Sequence, residues 1–174
     1  RTMLKSAGIL LILLSGAGLG YSKSRELTFR EKNLRIFLQM LTFLKGEIRC
    51  GNLSLPEAFR ETAGKLPEMY GELLREIAGR LKQSPGQPLG DVFRQCAGKR
   101  LGELPLSREE QELIFSLGGR LGYLDREMQL RQLELCEEET LRFLEELRKE
   151  MPEKKKIYQS LGIMGGILLA VLLW

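Results

Sequence analysis

Apolar residues collect in two uncharged stretches at the ends of the chain, Ser6 to Ser22 and Ile157 to Trp174, and nearly all of the charge lies between them. Each stretch holds 17 or 18 residues. A helix through either one reaches about 26 Å, slightly short of a hydrocarbon core of about 30 Å, so both read as minimal membrane spans. The competing reading of the first is a secretory signal peptide, since Arg1 and Lys5 precede it and Ser15, Gly16 and Ala17 offer a small-residue cleavage site. A buried core helix is the competing reading of the second, but eighteen uncharged residues directly behind Lys154, Lys155 and Lys156 suit a span better.

The middle of the chain has the period of helices. From Arg25 to Cys50, Phe29, Leu34, Phe37, Leu41, Leu44 and Ile48 recur at the spacing of one helical face, and Gly51 supplies a stop. Ser54 with Glu57 forms a capping box for a second helix that ends before Pro67. A third is predicted over Met69 to Leu81, closed by the breakers from Ser84 to Pro88, and a fourth over Leu89 to Leu101. Ser107 with Glu110 caps a fifth, in which Gly118, Gly119 and Gly122 point to the close approach of a neighbouring backbone. A long polar helix follows from Asp125 to Glu150, with Pro152 as its end or a kink. Positions 130, 133, 137, 140, 144 and 147 keep a heptad spacing, yet Glu137 and Thr140 interrupt the apolar seam, which favours a bundle member over a free coiled coil. No stretch alternates with period two, and valine stands only at Val92 and Val171. The expected fold is all-α: a bundle of five to six helices at 23–154, between transmembrane helices at 6–22 and 157–174.

Charge orients this arrangement. Lys23, Arg25 and Arg30 on one side of the bundle and Lys154 to Lys156 on the other favour a cytoplasmic domain, with both chain ends outside the cytoplasm. These flanks account for much of the net charge of +4. Tyr21, Tyr70, Tyr123 and Tyr158 are dispersed instead of interleaved with a basic face, so no nucleic-acid partner is expected. The chain has no histidine, no phosphate-binding glycine loop, and three far-apart cysteines at Cys50, Cys96 and Cys136. No metal, cofactor or catalytic residue is therefore expected, and the cysteines read as small apolar residues in a reducing compartment.

Some smaller signals remain. The pairs Gly16 with Gly20 and Gly162 with Gly166 have the spacing that lets helices approach closely in lipid, either between the two spans or between copies of the chain. Asp125 and Gln129 stand four apart, placed to cap or bond a neighbouring helix within the chain, or to meet a partner. Glu137, Glu138, Glu139, Glu145 and Glu146 form either a solvated face or an acidic docking surface. Leu55 to Phe59 is echoed 34 residues later by Leu89 to Phe93, through shared capping chemistry or a duplicated helical hairpin.

These motifs together carry a resemblance. The short N-terminal apolar segment, Leu55, Glu57 and Phe59 within LPEAF, the run Leu121, Gly122, Tyr123, Leu124, Asp125 continuing to Gln129 and Leu133, and the closing Ser160 to Gly166 appear in order along the whole chain. In this the chain resembles the stage III sporulation protein AB family of endospore-forming bacteria, related to the F-type inner-membrane platform proteins of type II secretion and type IV pilus systems. The resemblance implies a non-catalytic membrane scaffold of the channel complex joining mother cell and forespore, required for sporulation. It implies residence in the mother-cell membrane around the forespore, with other stage III sporulation A proteins as partners and the AA ATPase facing the cytoplasmic domain. A membrane-anchored signal relay or adaptor unrelated to secretion is the alternative.

Overall fold

The computed structural model describes residues 2–122 and 125–172, without the side chains at 2–6, 9, 12, 13, 170 and 172. Among the described residues all regular structure is helical: α1 (Thr2–Cys50), α2 (Leu55–Ala63), α3 (Glu68–Gln83), α4 (Leu89–Leu101), α5 (Arg108–Leu121) and α6 (Arg126–Leu172). The all-α expectation holds, and the four shorter helices start and stop within a few residues of their sequence signals. The terminal elements differ. The first apolar stretch and the first amphipathic helix form one helix of 49 residues, and the polar helix runs through Pro152 into the last apolar stretch as one helix of 47. Nothing between Ser22 and Arg25 breaks a helix, and a single proline withdraws one backbone donor without forcing a stop.

Among the described residues no helix is long and apolar enough to cross a membrane. The structure does not support separate transmembrane helices at 6–22 and 157–174: each stretch is the end of a longer helix that continues into a charged segment. Parts of both stretches lie outside the described side chains.

The chain divides into two compact units, residues 32–144 and the pair of segments 1–31 and 145–174. The first is smaller than the 23–154 span read from the sequence. Its core joins Phe37, Leu41 and Leu44 of α1, Phe59 of α2, Tyr70, Leu73 and Ile77 of α3, Phe93 of α4, Ile114 and Leu117 of α5 and Leu133 of α6, all fully buried. Burying each such side chain contributes about 1.5–3 kcal/mol relative to leaving it in water. α2 packs on α3, α3 on α4 and α4 on α5. The echoed phenylalanines meet, with the Phe59 and Phe93 ring centres 6.5 Å apart. Glycine sets the α4–α5 approach. A Cβ on Gly118 would run into Phe93 and stand 2.8 Å from the Leu89 carbonyl oxygen, and one on Gly90 would stand 3.1 Å from Gly119 Cα.

The polar positions of the α6 heptad are satisfied inside this unit. The Glu137 carboxylate accepts from Thr42 Oγ1 at 2.8 Å and pairs with Lys45, both on α1. Thr140 is buried and donates its hydroxyl to the Cys136 carbonyl at 2.7 Å. Both residues therefore fit a packed face, because a buried polar group that keeps its hydrogen bond avoids most of its desolvation cost.

In the second unit the small residues form a seam. A Cβ on Gly16 would strike the Gly162 carbonyl, one on Gly162 would strike the Gly16 carbonyl, and one on Gly20 would lie 2.6 Å from the Tyr158 carbonyl oxygen. Gly20 and Gly166 are buried, as are Ser24 and Leu27 further along α1. The outward positions Leu10, Leu11, Leu14 and Leu19, and Leu161, Met164, Leu168 and Val171, are all more than half exposed.

Candidate interaction surface

The C-terminal end of α1 and the start of α6 frame a cleft of about 530 Å³, lined by Arg49, Asp125, Glu127, Met128, Leu130, Arg131 and Glu134. Its shape follows from how α6 begins. The Asp125 carboxylate accepts from the Met128 N–H at 2.9 Å, satisfying one of the free donors of the first turn. Gln129 reaches back through Nε2 to the Leu121 carbonyl at 3.3 Å and ties α6 to the end of α5. Arg126 turns the other way. Its guanidinium bonds the Asn52 side-chain oxygen at 3.1 Å and the Arg49 carbonyl, placing a cation at the negative end of the α1 dipole. Asn52 there has φ 49°, a left-handed conformation that asparagine tolerates better than most residues.

The cleft has mixed charge. Glu134 pairs with Arg49 at 3.2 Å and with Arg131 at 3.8 Å. Met128 remains 45% exposed among these charges. With its balanced ion pairs and one apolar side chain open to solvent, the cleft suits protein contact better than capture of a small charged ligand. Among the described residues no group of histidine, cysteine, aspartate or glutamate could hold a metal ion.

The motif residues named from the sequence are distributed differently. Phe59, Leu121 and Leu133 are fully buried in the core, and Leu55 packs against it. Glu57 is exposed, and its carboxylate accepts from both the backbone and the hydroxyl of Ser54, which holds it below the usual carboxylate range. Gly122 closes α5. Of these eight positions Asp125 alone lines the cleft, and Tyr123 and Leu124 lie outside the described residues. Gly16, Gly20, Gly162 and Gly166 sit in the seam of the other unit.

Comparison with known proteins decides what the pattern belongs to. The family model described as stage III sporulation protein AB matches residues 5–174. The chain belongs to the stage III sporulation protein AB family. Stage III sporulation protein AB of Bacillus subtilis (strain 168) is 25% identical over 171 residues, which span 98% of this chain and 99% of that protein. No solved structure matches the chain.

Within this family member, the residues that sequence reasoning missed are those of tertiary origin. Arg49, Met128, Arg131 and Glu134 line the cleft, yet none stands out by spacing. The acidic cluster is also reapportioned: Glu137 is held by Lys45 and Thr42, and Glu139 pairs with Arg120 at 2.8 Å, leaving Glu138, Glu145 and Glu146 exposed. An acidic surface formed by all five is not what the fold presents.

Proposed function

We propose that this protein is a non-catalytic membrane scaffold of the channel complex between mother cell and forespore, required for sporulation. In this role its helical lobe lies in the cytoplasm, and it couples the AA ATPase to the membrane members of the complex. The observation that carries the membrane part is the outward row of exposed leucines on the helix pair. Among the described residues neither helix is apolar enough to cross alone, but hydropathy averaged along a helix counts Gly16, Gly20 and Gly162, which in the pair face the opposite arm. The large side chains exposed on the pair are mostly leucine, isoleucine, methionine and valine, a surface that suits lipid better than water. Inserted as a pair, the two arms stand in the membrane with the basic flanks Lys23, Arg25 and Lys154 to Lys156 at the cytoplasmic face. Family membership supports the sporulation setting, and the cleft beside Asp125 is the proposed partner contact.

Single cysteines along Asp125 to Glu150, introduced into the full chain in sporulating cells, test the reading. Crosslinks to the AA ATPase or to another stage III sporulation A protein should concentrate at 128, 130 and 131 and be absent at 138. Crosslinking spread evenly along α6, or release of the intact chain by alkaline carbonate, refutes it.

A further inference from the structure

The two arms of the helix pair do not close completely. Beside the glycine seam runs a groove of about 560 Å³, within the range of about 300–1,000 Å³ typical of small-molecule sites. Its walls are leucine, Leu11 and Leu19 on one side and Leu161 and Leu169 on the other, and Gly165 forms part of its floor. Ser15 also lines it, but its hydroxyl donates to the Leu11 carbonyl at 2.7 Å and so adds no free donor. The remaining polar side chains, Lys23 and Tyr158, stand together at one end. From Leu11 to Lys23 the groove follows twelve residues of α1, about 18 Å, which is the reach of a lipid acyl chain.

We propose that this groove holds one acyl chain of an anionic phospholipid, with the phosphate of its headgroup at Lys23 and Tyr158. The proposal rests on the membrane reading above. Charge complementarity selects this occupant. The lining is apolar over its length and cationic at one mouth, the pattern of an amphiphile with a negative head. Lys23 gives one of its three ammonium donors to Glu26 at 2.8 Å, leaving two for phosphate oxygens. A third helix lying in the groove would meet the same leucines but would leave the mouth without its anion.

The test uses the full chain with Trp174→Phe and Leu19→Trp, giving a single reporter in the groove wall. It is placed in nanodiscs of phosphatidylcholine that carry, in parallel samples, a minority of brominated phosphatidylglycerol or of brominated phosphatidylcholine. Per mole, the brominated phosphatidylglycerol should quench about fivefold more effectively, the ratio one lysine near an anionic surface provides. Lys23→Gln should bring the ratio close to one. Gly165→Leu should remove the excess quenching while leaving the pair intact, because a Cβ there meets nothing within 4 Å. Equal quenching by the two lipids, in a chain that resists carbonate extraction, overturns the lipid proposal alone. Release by carbonate overturns the membrane reading and the lipid with it. Weak quenching by both lipids, together with disulfide-linked dimers of a Leu19→Cys chain, assigns the groove to a helix of a second copy instead.

Discussion

Gly118 and Gly119 are neighbours in α5, and replacing each by alanine should move stability in opposite directions. Both substitutions gain about 1 kcal/mol of helix propensity. At Gly119 nothing lies within 4 Å of the added methyl, so the gain stands. At Gly118 the methyl collides with Phe93 Cβ, lies 3.0 Å from Phe93 Cγ and 2.8 Å from the Leu89 carbonyl oxygen, and α4 can yield only by moving its backbone. Overpacking of this kind costs about 1–3 kcal/mol, and because it forces two helices apart the upper half of that range applies. The net is a loss of about 1–2 kcal/mol for Gly118→Ala. In a unit of this size that lowers the melting temperature by roughly 4–8 °C, while Gly119→Ala raises it by roughly 4 °C. Thermal melts of the full chain in mild detergent, followed by far-UV circular dichroism, measure both. A Gly118→Ala protein that melts at or above the unmodified one would refute the close α4–α5 approach.

Acid should weaken the lobe through Glu76. Burial works to raise its carboxyl, but the bond from Arg100 and the charges of Arg100, Arg80 and Lys99 outweigh it and hold the group below the usual carboxylate range. A carboxyl depressed on folding adds stability above its unfolded pKa, about 4.3, and that stability is lost as pH falls through the folded value. Glu76→Gln should therefore melt lower at neutral pH and lose less on acidification; parallel melting curves at both pH values for the two proteins would contradict this. A maleimide should label Cys50 alone in the folded protein, since Cys50 is exposed whereas Cys96 and Cys136 are buried and burial pushes their thiols up, and all three should react after denaturation. Gly16→Val should separate the arms by forcing a branched side chain against the Gly162 carbonyl, seen as loss of a disulfide engineered between the two segments.

Much of the fold was legible because its punctuation is local. Ser54 with Glu57 and Ser107 with Glu110 mark starts by chemistry contained in four residues, and the Ser107 pair forms the full reciprocal box, with the Ser107 and Glu110 backbone donors each bonded to the other's side chain. Core positions such as Phe37, Ile77 and Leu117 follow from period alone. What could not be read depends on partners distant in the chain. Arg126 meets the Arg49 carbonyl across 77 positions and Glu137 meets Lys45 across 92, so no window of sequence holds both members. Glu137 looked like a fault in the seam because Thr42 and Lys45, which receive it, were out of sight, whereas Thr140 is satisfied locally by the Cys136 carbonyl. The fusion of each apolar stretch with its polar neighbour escaped for another reason: a membrane span was expected to end where its lipid ends, whereas the backbone continues wherever no residue stops it.

The same redistribution of charge bears on how a partner would be held. Ion pairs at an exposed rim contribute about 0–1 kcal/mol each, and Arg49, Arg131 and Glu134 already satisfy one another across the cleft. A partner approaching there gains little from any one of these charges and must in part displace the existing pairs. Met128 has no such competing bond; its side chain is half open to solvent, and covering it removes apolar area without breaking anything. On the proposed scaffold role, the affinity of the cleft should therefore reside in Met128 and the partly buried Leu130, with the charges setting orientation and the rate of encounter. Met128→Ala should weaken crosslinking and co-purification at all salt concentrations, whereas Arg131→Gln should have an effect that fades as salt is raised. If the charge substitution proved the more damaging at high salt, the cleft would be an electrostatic site and the apolar reading of Met128 would be wrong.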